Sequence, residues 1–518
     1  MISPDEVHGI VKKWMANDVF DLVLDLEKSH DMYLHDSKTG KEYLDFFGFF
    51  ASSAIGMNHP KMLEPDFLKK LYRTAINKPT NSDILTVEMA EFVDAMAKIA
   101  TPSYMKYFFF IEGGALAVEN ALKTAFDWKI KKNFSKGIQD VRGQKVIHLT
   151  EAFHGRSGYT LALTNTSSIR KVQYFPRFNW PRVTNPKITF PLNDENLRKV
   201  QELEKKSLDE IQKAVAEEGD HIAAFIMEPI QGEGGDNHFR KEYFQAIRKI
   251  TTENDILFVV DEIQSGMGIT GKWWAHQHFD VKPDIMAFGK KSQVCGIMAG
   301  AKLEDITDHV FKVPNRIDST WGGNLTDMVR ATRYLKIIEE DKLVDNAAKV
   351  GRLFLKGLGD LQDKFPGLIS NVRGKGLMCA FDMPNAELRD EFAGAAYDNQ
   401  LLVLKTGLMG IRFRPPLIVE EKHVNQALSI MEKIAARIYS RNPALQPKLA
   451  PPIQAPARTA TPAIEPHKKA ADLAVAVRQA SISASVGEPN NNPLINNFIS
   501  PVQEMPAISL KDDFTATP

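Results

Sequence analysis

Short unbroken apolar runs alternate along this chain with longer stretches in which apolar residues recur at helical spacing. Residues 107–111, 145–150, 222–227, 256–260 and 284–288 form the short runs, and turn or polar residues bound them. Such runs, separated by helix-length segments, predict parallel strands buried on both faces of an α/β sheet. Residues 1–40 read as a helix followed by a connection, and residues 195–220 as a charged, solvated helix. A single long amphipathic helix is predicted over about 330–360, bridging to a smaller α+β domain that begins near Val372. In that domain Arg412 and Arg414 alternate with apolar residues, so a strand there turns both arginines to the same side. Beyond about residue 440 the pattern stops. The last 78 residues hold 12 prolines and only two aromatics, Phe498 and Phe514, and predict a disordered tail over 441–518.

Composition narrows the class without naming it. The chain has 518 residues, 43% of them apolar, and equal numbers of acidic and basic side chains. A large soluble enzyme of two or more domains fits these values, and nothing points to nucleic acid or a membrane surface. Cys295 and Cys379, the only cysteines, make neither a disulfide framework nor a metal site. With no signal-peptide core and no membrane-length apolar run, a cytoplasmic location is expected.

The candidate chemistry gathers where the strands end. The run 256–260 breaks into Asp261 and Glu262, and the run 284–288 into Gly289 and Lys290. Ligands of open α/β sheets bind at that edge. A lysine that can hold an aldehyde as a Schiff base, beside a carboxylate that keeps a pyridine nitrogen protonated, is what pyridoxal 5'-phosphate (PLP) requires. Either residue alone reads better as a helix cap or a solvated lysine, but the pair favours the cofactor. Gly266–Gly271 also matches the glycine pattern of dinucleotide sites, but it follows its strand too late. It is expected to be a loop crossing the site.

Other residues fit around this pair. Glu112-Gly113-Gly114 ends a strand and opens an alanine-rich helix, a ready phosphate cradle or an ordinary tight turn. Phe153 could stack on a flat ring or fill a core, and Arg156 could grip a carboxylate or a surface acid. His154 reads first as a structural histidine. Glu233, set among glycines after a strand, has little packing role and is a site candidate. Gln264 is placed to donate a hydrogen bond to a ring oxygen of the cofactor. The aromatic tract over 42–54 reads as core or interface, and 318–324 as a polar loop.

Taken together, DFFGFFASSAIGMNHP, FFFIEGGALAVENALKTAFDWK, EAFHGRSGYTLALTNT, EPIQGEGGDNHFR, FGKKSQVCGIMAG and IRFRPPL resemble the blocks of the class III (ω-amino-acid) aminotransferases of PLP fold type I. The resemblance covers about residues 10–440. The KSQVCG that follows the lysine is similar to the lysine-specific branch of that family. The resemblance implies a large domain with a mainly parallel seven-stranded sheet over 61–330 and a smaller domain over 331–440. Residues 1–60 would add to the smaller domain and form a dimer arm. It implies ping-pong transfer of the ε-amine of L-lysine to 2-oxoglutarate, with other ω-amines such as ornithine as the alternative donors. By position, Lys290 resembles the Schiff-base lysine, Asp261 the pyridinium partner, Phe153 the stacking ring and Gln264 the ring-oxygen donor. Gly114 and Ala115 match the phosphate turn. Thr320 matches a threonine supplied by the neighbouring subunit, which implies a homodimer with shared sites. Arg156 would hold the distal carboxylate of lysine and Arg412 the near carboxylate of 2-oxoglutarate. Glu233 would neutralise Arg412 when lysine is bound.

Overall fold

A computed structural model describes residues 2–17 and 19–445. The expected disordered tail lies, beyond Leu445, outside the described residues. Strands β1 (Tyr33–His35) and β2 (Glu42–Asp45) pair antiparallel near the N-terminus. The large sheet is built from β3 (Met105–Ile111), β4 (Lys145–Leu149), β5 (Arg182–Val183), β6 (Ile222–Met227), β7 (Leu257–Asp261), β8 (Ile285–Phe288) and β9 (Cys295–Gly300). Its spatial order is β3-β9-β8-β7-β6-β4-β5. The pairs from β5 through β8 are parallel, whereas β9 runs antiparallel to both of its neighbours. The link from β8 to β9 is too short for a crossover, so the chain can only turn back there.

Every residue of β6 and β7 is buried, as their unbroken apolar runs require. Alternate side chains enter opposite cores. Ala224, Ile226, Leu257 and Val259 pack with Ala117, Val118, Ala121 and Leu122 of the helix Gly114–Ser135. Phe225, Met227, Phe258 and Val260 face the other layer, with Phe244 and Ile247 of the helix Lys241–Glu253.

The predicted bridging helix is two helices, Leu325–Glu340 and Leu343–Lys364. Lys342 between them takes the left-handed conformation, φ 53° and ψ 41°. Apolar spacing carries across such a break because a one-residue kink leaves the composition amphipathic on both sides. A second, antiparallel sheet follows, in the order β10 (Ser370–Lys375), β11 (Met378–Asp382), β14 (Gly410–Phe413), β13 (Leu404–Thr406). Strand β12 (Leu401–Leu402) instead runs parallel to β2 and ties the late chain to its beginning. Among the described residues, no helix is long and apolar enough to cross a membrane.

Candidate active site

Asp261 is the last residue of β7 and lies in register with Ala287 of β8. Lys290 opens the short turn just past β8. The C-terminal edge of two adjacent parallel strands therefore carries both residues, as the apolar runs predicted. Lys290 has φ +54°, a left-handed backbone that costs a β-carbon residue free energy and that gathers at functional sites. Its neighbour Lys291 is turned into the protein, 1% exposed, with Nζ donating to the Ala51 carbonyl at 2.9 Å. Lys290 instead lines a cavity of about 460 Å³ together with Asp261, Phe153, Arg156 and Gln264. Burial pulls its amine down to about 8, Arg412 and Arg414 push the same way, and Asp261 and Glu228 oppose them.

Asp261 is held at both oxygens. Oδ2 meets His154 Nδ1 at 2.8 Å, and Oδ1 accepts from the Ile263 N–H at 3.1 Å. His154 is itself buried, and its Nε2 has no hydrogen-bond partner among the described residues. Glu228 completes the cluster, accepting the N–H groups of Phe153 and Gly232 at 2.9 and 3.0 Å. Burial pushes Glu228 up to about 7 against the pull of His154, with Asp261 adding to the rise. From sequence alone His154 reads as structural, and the candidate after β6 is Glu233 rather than Glu228. His154 and Glu228 each act through a partner 75 or more positions away, a separation that residue spacing does not encode.

The other candidates surround the same space. Gly113 enters the helix Gly114–Ser135 at φ +102°, and no side chain caps that helix start. Its first N–H groups, at Gly114 and Ala115 on the cavity wall, are left for an anion. Gln264 Oε1 accepts from Arg412 Nη1 at 3.2 Å and from Arg414 Nη2 at 3.1 Å. Arginine only donates, so the amide nitrogen of Gln264 must be the other end, a donor with no acceptor among the described residues. Arg414 is held bidentate by buried Asp236 at 2.8 and 2.6 Å. Arg412 is buried too, but besides Gln264 it has only a 3.4 Å contact to a carboxylate, Glu233 Oε2, and an Nε with no partner among the described residues. The other oxygen of Glu233 pairs with Lys171, a partner that nothing in the linear pattern announced.

Arg156 is exposed at the cavity wall and makes no hydrogen bond or ion pair among the described residues. Thr320 is also exposed and stands outside the cavity lining of its own chain, its carbonyl accepting from Ser82 Oγ at 3.0 Å. The Gly266–Gly271 loop does not cross the cavity. Gly268 and Gly271 pack against Val344 and Ala348 of the helix Leu343–Lys364, where a β-carbon at Gly271 would lie 2.7 Å from that of Ala348. Those glycines answer a packing demand.

A PLP-sized group fits this donor set. An enclosed lysine amine of lowered proton affinity, a buried carboxylate held by a histidine, an uncapped helix start and an unspent amide donor all converge on one cavity. A lysine and carboxylate on adjacent strand ends of a seven-stranded α/β sheet define a PLP-type site. Comparison with known proteins agrees. The model of the aminotransferase class-III family matches residues 14–435. The chain is 46% identical over 428 residues to the L-lysine-epsilon aminotransferase of Mycobacterium tuberculosis, covering 82% of this chain and 94% of that protein. It is 46% identical over 432 residues to the enzyme of the same name from Streptomyces clavuligerus, covering 83% and 94%. A solved lysine aminotransferase from M. tuberculosis, in the internal aldimine form, superposes with TM-score 0.82 at 46% identity over 85% of this chain and all of that one. The mitochondrial 4-aminobutyrate aminotransferase of Sus scrofa is more distant, at 32% identity over 79% of this chain and 84% of that protein. The chain belongs to the class-III aminotransferases. Its cofactor is pyridoxal 5'-phosphate, and its substrates are small amino and keto acids.

Proposed function

We propose that the protein transfers the ε-amine of L-lysine to 2-oxoglutarate, giving 2-aminoadipate 6-semialdehyde and L-glutamate in two half-reactions on one site. The observation that carries this reading is the pair of arginines at different depths, Arg156 exposed at the cavity wall and Arg412 buried beside Gln264. Lysine reacts at its far end and needs a distant carboxylate holder, whereas 2-oxoglutarate reacts next to a carboxylate and needs a near one. Greater similarity to the lysine-epsilon aminotransferases than to the 4-aminobutyrate enzyme supports lysine over 4-aminobutyrate as the donor.

When bound, PLP supplies an aldehyde to carry the amine and a ring to take up electrons. Lys290 would hold that aldehyde, and its amine, lowered to about 8, would take the proton off the ε-carbon of lysine as base and return it as acid to the former aldehyde carbon of the cofactor. Asp261, oriented by His154, would keep the ring nitrogen protonated. Gln264 would donate to the ring oxygen, Phe153 would stack on the ring, and the N–H groups at Gly114 and Ala115 would take the phosphate. Glu233 neutralises Arg412 while the aliphatic chain of lysine lies beside it, because an unpaired guanidinium there would be costly. For 2-oxoglutarate, Glu233 gives way and the free Nε of Arg412 finds its acceptor. Thr320, exposed and away from its own cavity, serves the phosphate of a second copy in a homodimer. Two unpaired cysteines fit a reducing compartment such as the cytoplasm.

The test is a half-reaction without keto acid. L-Lysine should bleach the visible absorbance of the loaded enzyme, and 2-oxoglutarate should restore it, while ornithine acts far more slowly. Bleaching by ornithine but not by lysine would reassign the donor.

A further inference from the structure

Glu233 is shared between two cations. One oxygen pairs with the Lys171 ammonium, and the other stands 3.4 Å from Arg412 Nη2, longer than a normal charged hydrogen bond. The two cations differ in setting. The Arg412 side chain is 2% exposed and that of Lys171 36% exposed, with Glu233 between them at 22%. The backbone around Glu233 is pinned, because Thr406 Oγ1 donates to the Gly232 carbonyl at 2.7 Å and the Gly407 N–H to the Glu233 carbonyl at 3.2 Å. Movement is therefore left to the Glu233 side chain, which has a partner on the solvent side already in place.

We infer that Lys171 is a positioning residue that sets how readily Glu233 releases Arg412, and so sets the affinity of the site for the keto acid. The inference rests on the reading of Arg412 and Glu233 given above. Without Lys171, a carboxylate leaving Arg412 gives up its only cation and remains partly buried. With Lys171, one oxygen keeps its cation in both positions, and the two positions approach each other in free energy. Removing the lysine favours the closed pair and lowers the fraction of enzyme whose Arg412 is open to a carboxylate. Lysine binding, which needs the closed pair, is not penalised. A half-exposed ion pair supports a change of about threefold to fivefold.

The experiment uses the holoenzyme and Lys171→Met, with Lys171→Arg as the conservative variant. The second half-reaction is started from enzyme loaded with pyridoxamine phosphate, so the identity of the amine donor does not enter. Lys171→Met should lower the second-order rate constant for 2-oxoglutarate about threefold to fivefold and leave the lysine half-reaction within twofold. Calorimetric affinity for glutarate, an unreactive dicarboxylate, should fall by the same factor. Lys171→Arg should restore both, and in a Glu233→Ala background Lys171→Met should change neither. Equal losses in both half-reactions, or no change in glutarate affinity, would overturn the role of Lys171. Equal losses in the two half-reactions of Glu233→Ala alone would overturn the underlying reading of Glu233.

Discussion

Burial and two guanidinium groups act on Lys290 in the same direction, and Asp261 and Glu228 only partly offset them. A lysine lowered to about 8 is neutral above that pH and charged below it. In cofactor-free protein, acylation of Lys290 by acetic anhydride, followed by peptide mass mapping, should rise with pH to a midpoint near 8. Arg412→Met should move the midpoint upward, and a wild-type midpoint at the ordinary lysine value would refute the argument. Glu228 shows the opposite charge type under the same burial. Its carboxyl keeps a proton up to about 7 in the folded protein, whereas the unfolded chain loses it near the ordinary glutamate value of 4.5. Between those values the folded state binds more protons, so this group's contribution to stability is full below 4.5 and is lost as pH rises through 7. Denaturant midpoints of the cofactor-free protein should therefore fall across that window, and Glu228→Gln should flatten part of the fall. Lys290 and Asp261 were readable in the sequence because each ends an apolar run. Glu228 also follows an apolar run, but its role and that of His154 exist only once β4, β6 and β7 lie side by side.

The helix Gly114–Ser135 shows what an element adds that its residues do not. Its start carries no side-chain cap, so the anion site there depends on where that first turn is held. Gly155 holds it: a β-carbon at this position would come within 2.6 Å of the Ala115 β-carbon and 2.7 Å of Thr160 Oγ1, and φ is +128°. Gly155→Ala should push the first turn away and weaken cofactor retention at least tenfold, read as the PLP dissociation constant by equilibrium dialysis, with far-UV circular dichroism unchanged. Undiminished retention would place the anchoring elsewhere. The strand runs and the charged helix Asp194–Glu218 were legible because periodicity and burial agree over many residues. The break at Lys342 was not, because a single left-handed residue leaves no trace in hydrophobic spacing. The Gly266–Gly271 loop misled for the converse reason. Glycines needed for close packing against Val344 and Ala348 look the same in sequence as glycines needed for a ligand.

On the scale of the whole molecule, the proposed phosphate contact of Thr320 belongs to a site its own chain does not line. If two copies exchange this residue, a site in the dimer takes Lys290 from one chain and Thr320 from the other. Two variants, Lys290→Ala and Thr320→Ala, then fail for reasons that lie on different chains. At limiting PLP each homodimer should be impaired, the first fully and the second through loss of cofactor. When the two are unfolded together and reassociated, a mixed dimer pairs the intact Lys290 of one chain with the intact Thr320 of the other. Its second site carries both defects. With random pairing, half of the dimers are mixed and half of their sites are whole, so about a quarter of the wild-type activity per chain should return. The separately reassociated homodimers should show only the residual activity of Thr320→Ala, diluted in proportion. If Thr320 served its own chain, mixing would place Lys290 and Thr320 defects in separate sites, each still defective, and no activity would be regained.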